Sequence, residues 1–372
     1  MKIKYSYKDT FNIFQHTALG INLVTWFRIL MRNKWNVHPI YWLKALVITL
    51  MAVISFPVQL VERIVFSKRI KNAKIKQPVF ILGYFRSGTT YLLYVLGSDP
   101  KFVSPTTYQV LTPHLFLLFG KGIRKMFDSV MPATRPQDNV KITADSPSEE
   151  EFAIANMSPY SLANGYVFPK KIAALFSAIT HDQKAKNEWK TTFDYFVKKV
   201  MVRNEAKTLL LKSPMNTARI GEILSLYPDA KFIHIHRNPY DVYMSNERLF
   251  EKILPKTALN RAKEETLDDF IMKSYAETYT TYLQSKEKLS HTQLVEVAYA
   301  AFEKNPIEVL KHVYDKINLG DFDPVFKFLQ HEISSTQSYQ KNEYSSLSPE
   351  RIDIINKEWG FMFEEYGYEK KV

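Results

Sequence analysis

The sequence contains no cysteine. A disulfide framework and a zinc site built from thiolates are therefore excluded, and the composition suits a reducing compartment. Glycine and proline are also scarce, at 11 and 18 of 372 residues, which excludes a collagen-like or low-complexity chain. With 46% apolar residues, a chain of this length can bury the core of one large α/β domain or of two ordinary domains.

Acidic residues are outnumbered by basic ones, 38 to 50, which gives a formal net charge of +12 and a pI near 9.4. Beyond ordinary solubility, such an excess suits a nucleic acid, an anionic membrane surface or a polyanionic small ligand. The sequence contains no helix-turn-helix, zinc-finger or RNA-binding signature. We therefore predict no nucleic-acid partner and favour the other two classes of ligand.

A signal peptide is not predicted, because acidic and polar residues occupy positions in 1–30 where an apolar core would be needed. The most apolar stretch is Ala45–Val61, ALVITLMAVISFPVQLV, which is at the lower limit of length for crossing a bilayer. Pro57 and Gln59 further weaken a spanning helix. Three interpretations stay open: a helix in or dipping into the membrane interface, a spanning helix, and a buried core helix.

Basic residues flank this stretch on both sides: Arg28, Arg32, Lys34 and Lys44 before it, and Arg63, Lys68, Arg69, Lys71, Lys74 and Lys76 after it. Such flanks favour a helix at an anionic interface. We therefore predict a basic, partly apolar helical region over residues 1–76, with membrane association, followed by an α/β domain over residues 77–372.

Short apolar runs bounded by turn residues predict three buried strands, over residues 77–83, 208–211 and 231–236. A helical pattern follows each strand, over 89–96, over 216–227 and from Pro239 onward. Strands alternating with helices predict an α/β fold, with a P-loop-like parallel sheet flanked by helices. Elsewhere we predict loops with short helices over 101–150, helices over 151–205 and 251–330, a polar loop over 331–349, and a terminal helix from about Pro349 to Tyr366.

The first motif that carries chemistry is GYFRSGTT, residues Gly83 to Thr90, between a predicted strand and a predicted helix. Its G-x-x-x-x-G spacing is that of a P-loop, which directs backbone N–H groups and a helix N-terminus at an anion. Thr89 occupies the position of the P-loop lysine, so the β- and γ-phosphates of ATP would lack their main cation. Arg86 supplies a cation inside the loop instead. A kinase or NTPase is therefore the second choice, and a tight surface turn the simplest alternative.

Two further segments place cations at strand ends. In FIHIHRNPYDVYMSN, Arg237 ends a strand, Pro239 starts a helix, and Ser245 lies about two turns along it, which predicts a second anion site. In LKSPMNTAR, Lys212 ends another strand. Because the carboxyl ends of parallel strands face the ligand crevice, Lys212, Arg86 and Arg237 could converge there. A salt-bridged or solvated surface cation is the alternative for each.

The segment PVFILGYFRSGTTYLLYVL resembles the 5′-phosphosulfate loop of the sulfotransferases that use 3′-phosphoadenosine-5′-phosphosulfate. The arginine form of the loop is similar to the carbohydrate, tyrosyl-protein and bacterial branches, and the resemblance runs with gaps from about residue 77 to the C-terminus. It implies sulfuryl transfer from that donor to a hydroxyl acceptor, without a metal. It also implies that the 5′-phosphosulfate is held by Arg86, Ser87, Gly88, Thr89 and Thr90.

The same resemblance assigns roles to the other two segments. The family's 3′-phosphate motif is R-x-P-x-D with a serine eight residues after the arginine, which Arg237 and Ser245 match. A lysine in a Lys-Ser/Thr-Pro sequence is thought to stabilise the sulfuryl group in tyrosyl-protein-type members, and Lys212 matches it. Many members close a basic C-terminal loop over the 3′-phosphate; Lys341 and Asn342 match that loop poorly, so a solvated loop is the better prediction for them.

A base must take the proton of the acceptor hydroxyl, so a histidine or glutamate is expected near the loop. The candidates are His114, in TYQVLTPHLF, and Glu149, Glu150 and Glu151, in DSPSEEEF. Pro147 is expected to start a helix there, and acids in a first turn also stabilise a helix without any catalytic role. Membrane-associated bacterial members of the family show a similar P-x-E-x-E-F pattern. The choice among the four stays open.

The apolar N-terminal region and the 14% aromatic content favour a lipid-like acceptor, such as a sterol or glycolipid, over a soluble polysaccharide. The donor nucleotide is made in the cytosol, so the catalytic domain is expected at the cytoplasmic face of a membrane. A membrane-bound scaffold without enzymatic activity is a further alternative, but it leaves both anion motifs unexplained.

Overall fold

The computed structural model describes residues 1–13, 16–131, 134, 141–336 and 346–371. Lys341 and Asn342 lie outside these residues. Contacts divide the chain into two compact units. The helical unit consists of Met1–Ile75, Ser104–Ala206 and Leu249–Leu267, and the sheet unit of Lys76–Val103, Lys207–Arg248 and Asp268–Val372. The predicted regions 1–76 and 77–372 were defined by sequence character rather than by contacts, and they stay a prediction.

The described α-helices are, in chain order, α1 (Tyr7–Phe11), α2 (Leu23–Arg32), α3 (Trp42–Asn72), α4 (Thr89–Gly97), α5 (Thr107–Leu111), α6 (Phe116–Val130), α7 (Glu150–Met157), α8 (Ala163–Val167), α9 (Ile172–His181), α10 (Gln183–Met201), α11 (Ile220–Leu226), α12 (Pro239–Thr257), α13 (Glu264–Lys286), α14 (Tyr299–Lys304), α15 (Pro306–Lys316), α16 (Phe326–Thr336), α17 (Pro349–Glu358) and α18 (Gly360–Tyr366). Short 3-10 turns cover Pro39–Tyr41, Pro169–Lys171 and Pro214–Ala218.

The sheet unit is built on five parallel strands in the order β2-β3-β1-β4-β5. They are β1 (Val79–Leu82), β2 (Phe102–Val103), β3 (Thr208–Lys212), β4 (Lys231–His236) and β5 (Leu294–Ala298). The predicted parallel α/β fold and its three strands are confirmed. All four residues of β1 are buried, as expected for a strand covered on both faces.

The core of the sheet unit lies between the strands and the helices α4, α15 and α16. Strand residues such as Ile81 and Ile233 pack with Leu92 of α4, Leu310 of α15 and Leu329 of α16. The helix predicted over 89–96 is confirmed as α4. The helix predicted over 216–227 is a 3-10 turn, Pro214–Ala218, followed by α11.

Three boundaries differ from the sequence predictions. Strand β5 lies inside the region predicted to be mainly helical, 251–330. Residues 331–336 belong to α16 rather than to a loop. The terminal helix is broken at Trp359 into α17 and α18, because this indole is fully buried and donates its Nε1–H to the carbonyl oxygen of Met272 at 3.0 Å.

The helical unit contains α3, a single helix of 31 residues that includes the apolar stretch predicted from the sequence. Its inner residues Ile48 and Ala52 pack with Trp26 of α2 and with Phe168. The helices predicted over 151–205 are confirmed as α7 to α10. The region 101–150, predicted to hold loops with short helices, contains the five-residue α5 and α6, which consists of two short helical segments joined by a kink at Gly120, where φ is +44°.

Candidate active site

The G-x-x-x-x-G loop joins β1 to α4, and its two glycines occupy positions where a side chain would not fit. Gly83 has a φ of +144°, and an added Cβ would lie 2.5 Å from the carbonyl oxygen of Ile235. Gly88 has a φ of +99°, and an added Cβ would lie 2.3 Å from the ring of Tyr299. The Gly83 N–H donates to Thr217 Oγ1 at 2.8 Å, which anchors the start of the loop. The glycine spacing is therefore required by the geometry of this turn.

Arg86, inside the loop, has a left-handed backbone with φ of +71°. Such a conformation costs about 1–3 kcal/mol for a non-glycine residue and persists where the surroundings impose it. Here α12 supplies those surroundings: Ser245 Oγ accepts a hydrogen bond from Arg86 Nε at 2.9 Å, and Asn246 Nδ2 donates to the carbonyl oxygen of Phe85 at 3.0 Å. The two segments predicted to bind anions therefore meet through a direct hydrogen bond between Arg86 and Ser245.

Arg237 follows the last residue of β4 and also contacts the loop. Its Nη1 donates to the carbonyl oxygen of Arg86 at 3.3 Å. Its guanidinium lies 4.8 Å from the ring centre of Tyr299, and its Nε donates to Asp241 Oδ2 at 3.4 Å. These three contacts hold the guanidinium at the carboxyl end of the sheet, beside the N-terminus of α12.

Lys212 is the last residue of β3 and pairs in register with Ile81 of β1. It is 1% exposed, and its Nζ donates to Thr90 Oγ1 at 3.2 Å in the first turn of α4. The first N–H groups of an α-helix have no partner within the helix and attract anions. The arrangement thus places an ammonium group next to a helix N-terminus, and Lys212 and Arg237 both contact the loop that contains Arg86. Their convergence on one ligand stays a prediction.

The hydroxyl-bearing residues of the loop have different surroundings. Ser87 is fully buried, and both its hydroxyl and its N–H donate to the carbonyl oxygen of Tyr84, at 2.6 and 3.2 Å. Its predicted part in holding the 5′-phosphosulfate stays a prediction. Gly88 is the N-cap of α4, where no side chain caps the helix, and Thr89 is the first helical residue. Binding by Gly88, Thr89 and Thr90 through this helix terminus is therefore geometrically available.

His236 immediately precedes Arg237 and is buried against two tyrosines. Its ring stacks on Tyr366 with centroids 3.7 Å apart, and its Nδ1 lies 2.8 Å from the Tyr368 hydroxyl. Burial lowers the pKa of His236 to about 3, so the imidazole is neutral at pH 7. His236 therefore supports the end of β4 without adding a charge next to Arg237.

Tyr299 was not predicted as a site residue. It is the first residue of α14, directly after β5, and its ring contacts both the Gly88 position and the Arg237 guanidinium. The signal that could have found it is the alternation in LVEVA, residues 294–298, which is typical of a half-buried strand ending at a tyrosine. An aromatic ring at the carboxyl end of a fifth strand then faces the ligand edge of the sheet.

The four candidate bases belong to the helical unit. His114 lies between α5 and α6, and its Nε2 is 3.2 Å from the carbonyl oxygen of Asn156, near the C-terminal end of α7. The three glutamates lie at the opposite end of α7, where Glu149 is the N-cap residue. Asn156 lies five positions after Glu151 in the helix, a rise of about 8 Å along the axis. His114 and the acidic run are therefore two separate candidates, not one cluster.

The environments of these candidates differ. Burial and the charge of Lys199 lower the pKa of His114 to about 3. Glu150 is buried, and so is Glu151, whose Oε1 accepts the backbone N–H of Leu162 at 3.0 Å. The hydrogen bond to Leu162 ties α7 to the start of α8, which is a structural role for Glu151.

The prediction that Pro147 starts this helix is wrong. Pro147 forms an antiparallel bridge with Thr106, and the neighbouring Ser148 N–H donates to the carbonyl oxygen of Pro105 at 2.8 Å. These contacts keep the chain extended through residue 148, so α7 begins at Glu150. Glu150 and Glu151 still lie in its first turn.

No group of three or more His, Cys, Asp or Glu residues placed to hold a metal ion is found in the part of the chain that the structure describes. A parallel sheet with a P-loop-like turn and cations at its carboxyl edge suits a protein that binds a ligand with anionic groups. A sequence profile of the sulfotransferase family matches residues 78–324. The chain belongs to the sulfotransferase family and is an enzyme of that family, as the sequence predicted.

Curated relatives and solved structures agree with this assignment. The chain is 31% identical over 356 residues to the omega-hydroxy-beta-dihydromenaquinone-9 sulfotransferase Stf3 of Mycobacterium bovis and, with the same figures, to that of Mycobacterium tuberculosis. The alignment covers 95% of this chain and 91% of each relative. The sulfotransferase STF9 from Mycobacterium avium has the same fold, with a TM-score of 0.69 at 17% identity over 99% of this chain and 98% of that one. STF1 from Mycobacterium tuberculosis gives a TM-score of 0.67 at 14% identity, over 96% and 94%.

Proposed function

We propose that the protein transfers the sulfuryl group of 3′-phosphoadenosine-5′-phosphosulfate to the hydroxyl of a lipid-like alcohol at the cytoplasmic face of a membrane. The observation that carries the choice of donor is the hydrogen bond between Arg86 and Ser245. It joins a loop suited to a 5′-phosphosulfate to a helix whose neighbouring Arg237 is suited to a 3′-phosphate. A donor with anionic groups at both ends of one nucleoside fits this pair of sites.

The proposed reaction is a direct displacement at sulfur. The acceptor oxygen forms a bond to sulfur while the bond from sulfur to the bridging phosphate oxygen breaks, and 3′-phosphoadenosine-5′-phosphate leaves. Negative charge grows on the bridging and sulfuryl oxygens, where Arg86 and Lys212 stabilise it. Thr90 Oγ1 accepts a hydrogen bond from Lys212 Nζ, and this contact keeps the ammonium group at the N-terminus of α4.

The acceptor proton passes to a base, for which His114, Glu149, Glu150 and Glu151 all stay candidates. Burial and the charge of Lys199 lower the pKa of His114 to about 3, which weakens its imidazole as a proton acceptor at neutral pH. Glu151 has a structural contact, because its Oε1 accepts the Leu162 N–H. Single substitutions are needed to choose among the four.

The proposed acceptor class has two supports. By their names, the curated relatives act on omega-hydroxy-beta-dihydromenaquinone-9, a menaquinone-derived lipid-like alcohol, and they align with 95% of this chain. The helical unit independently exposes a long apolar helix, α3. The acceptor class is tested by incubating the protein with sulfur-labelled donor and a lipid extract of the cells that produce it. The labelled product is then identified by mass spectrometry. A labelled lipid sulfate is expected, and label found only in polysaccharide or protein would contradict it.

The donor is tested by thermal unfolding with added nucleotide. A ligand that binds only the folded protein must raise its melting temperature. We expect 3′-phosphoadenosine-5′-phosphate to stabilise the protein, and ATP with Mg²⁺ to do so only weakly, because Thr89 replaces the P-loop lysine. Equal stabilisation by the two nucleotides would contradict the choice of donor and favour a nucleoside triphosphate.

The membrane location is tested by fractionation of cells at low salt without detergent. Basic residues that follow the apolar stretch, including Lys68 and Lys71, are exposed and suit anionic lipid. We expect the full-length protein in the membrane fraction. Recovery of all of it in the soluble fraction would contradict this part of the proposal, while leaving the chemistry untouched.

A further inference from the structure

Helix α3 buries several polar residues and exposes most of its large apolar residues. Its buried residues include Lys44, Gln59 and Glu62. Its exposed residues include Leu50, Ile54, Val61, Ile64 and Val65, of which Ile54 and Ile64 are 68% and 72% exposed. The helix is long and apolar enough to cross a membrane, yet only 22% of its most apolar window is buried within the protein. A core helix of a water-soluble protein shows the opposite arrangement.

The inner polar residues fasten α3 to the helical unit. Glu62 pairs with Lys199 of α10, and its Oε2 accepts the backbone N–H groups of Leu117 and Leu118 at 2.8 and 3.0 Å. Gln59 Oε1 accepts a hydrogen bond from Asn22 Nδ2 at 2.9 Å. Removing one partner of a buried ion pair costs about 3–5 kcal/mol. The helix therefore cannot leave the unit to span a bilayer without breaking these contacts.

Lys44 behaves in the same way, which corrects its predicted place among the membrane-facing basic residues. It is 1% exposed, and its Nζ donates to the carbonyl oxygens of Asp9 and Lys256 at 3.3 and 2.9 Å. Its internal partners keep it away from the outer face.

Helix α2 extends the apolar surface. It packs against α3, where Trp26 Nε1 donates to Thr49 Oγ1 at 2.8 Å. Its residues Val24, Phe27 and Met31 are exposed. We define the exposed apolar residues of α2 and α3 as the outer face of this helix pair.

The charges around the outer face identify its occupant. The acidic residue of α3 is Glu62, which is buried, so the exposed surface of this helix is apolar or basic. Its C-terminal part exposes Arg63, Lys68 and Lys71. A second copy of the chain would bring like charges together, whereas anionic lipid offers both hydrocarbon and the opposite charge.

We infer that the outer face of α2 and α3 lies in the plane of an anionic bilayer and enters one leaflet only. This inference specifies the mode of attachment. It rests on the proposed membrane location and not on the donor or the acceptor.

Flotation with lipid vesicles tests the outer face. Full-length protein is mixed with phosphatidylcholine vesicles with or without phosphatidylglycerol, and Ile64→Glu is compared with Ile354→Glu. Ile354, on α17 in the sheet unit, is also an exposed isoleucine, so the control adds the same charge elsewhere. We expect binding to the anionic vesicles, a drop of about tenfold or more in partitioning for Ile64→Glu, and none for Ile354→Glu. Equal binding by all three proteins would overturn the inference.

The absence of cysteine allows a second test that separates in-plane from spanning attachment. Asn36→Cys and Lys71→Cys place single thiols before α3 and near its end, both at exposed positions. On sealed vesicles, an impermeant thiol reagent added outside should label both variants. Protection of one of them would show that α3 spans the bilayer, which contradicts the inference.

Two further outcomes are separated by controls. If the native protein does not bind vesicles but forms a dimer that Ile64→Glu dissociates, the occupant is a second copy and the inference is wrong. Stabilisation by 3′-phosphoadenosine-5′-phosphate is measured on every variant, because its site is in the sheet unit. Failure of the native protein to bind vesicles, with this stabilisation present, contradicts only the membrane part. Failure of 3′-phosphoadenosine-5′-phosphate to stabilise the native protein contradicts the proposed chemistry.

Discussion

Lys212 in the sheet unit and Lys199 in the helical unit are equally buried, at 1% exposure, but they have different surroundings. Lys199 meets the carboxylate of Glu62 and the carbonyl oxygen of Pro113, and the pair holds α3 to α10. Lys212 ends a strand and donates to Thr90 in the first turn of α4. A buried lysine therefore indicates a ligand site only where strand ends and helix N-termini also meet.

The comparison extends to the segments that carry these residues. The loop from Gly83 to Thr90 places hydrogen-bond donors at the carboxyl edge of the sheet, and its conformation depends on two glycines. Helix α3 buries the charged residues Lys44 and Glu62, leaves apolar residues exposed along its length and exposes basic residues near its C-terminal end. In the first segment polar groups are positioned for an anion; in the second they are satisfied internally, so that the outer surface can be apolar.

The largest effect is expected from the catalytic base. Single substitutions of His114, Glu149, Glu150 and Glu151, to Gln in each case, should single out one residue whose loss lowers kcat by about 10²–10⁴. Melting temperatures of all four variants control for folding, since Glu150 and Glu151 are buried. Full activity in every variant would place the base elsewhere.

The two buried lysines give the next largest effect and test the comparison itself. Lys212→Met should lower kcat by about 10²–10³ while 3′-phosphoadenosine-5′-phosphate still stabilises the protein. Lys199→Met should instead lower the free energy of unfolding by about 3–5 kcal/mol, because Glu62 is left buried without its ion-pair partner. The double variant Lys199→Met/Glu62→Leu should recover much of that stability. The comparison fails if Lys199→Met folds normally and loses only activity.

Arg237→Ala should reduce the preference for a nucleotide with a 3′-phosphate. One charge-assisted contact of this kind is worth about 1.5–3 kcal/mol, so we expect about a 10- to 100-fold weaker binding of 3′-phosphoadenosine-5′-phosphate. Binding of adenosine-5′-phosphosulfate, which lacks the 3′-phosphate, should change little. Isothermal titration measures both, and an equal loss for the two nucleotides would place Arg237 at a different group.

The smallest effect concerns acid stability in the helical unit. His16 is buried; its Nε2–H donates to the carbonyl oxygen of Thr257 at 2.8 Å, and its Nδ1 accepts the Ala18 N–H at 3.1 Å. Burial lowers its pKa from 6.5 to about 4, so between these values the unfolded chain binds a proton that the folded protein does not. Titration of His16 should therefore lower the free energy of unfolding by about 2 kcal/mol between pH 7 and pH 5.

Urea unfolding at the two pH values measures this loss, and His16→Gln should show a smaller one. The pKa values of His114 and His236 are also lowered by burial, so the protein as a whole should lose stability on acidification. An identical pH dependence in the native protein and in His16→Gln would contradict the assignment to His16.

The loop and the strands next to it could be predicted because they depend on few residues close in the sequence. Strands β1, β3 and β4 are short apolar runs bounded by turn residues, and Gly83 and Gly88 mark a turn that only glycine allows. Strand β5 was missed because it is an edge strand that exposes Glu296, which interrupts the apolar run. Tyr299 was missed together with it.

The environment of α3 could not be predicted, because one apolar run fits a core, an interface or a bilayer. What decides it is contact with residues far away in the sequence: Glu62 with Lys199, and Lys44 with the carbonyl oxygens of Asp9 and Lys256. The hydrogen bond between Arg86 and Ser245 could not be predicted either, because the two residues are 159 positions apart in the sequence. The sequence predicted that both bind anions, but not that they touch.

Transfer of label tests the central claim most directly. The protein is incubated with hydroxylated isoprenoid lipid in anionic vesicles and either sulfur-labelled 3′-phosphoadenosine-5′-phosphosulfate or γ-phosphate-labelled ATP with Mg²⁺, with Lys212→Met as the control. Sulfuryl transfer predicts a labelled lipid from the first donor, none from the second, and a loss in the variant. Label arriving in the lipid from ATP, or no lipid labelling from either donor in a protein that 3′-phosphoadenosine-5′-phosphate fails to stabilise, would contradict the account.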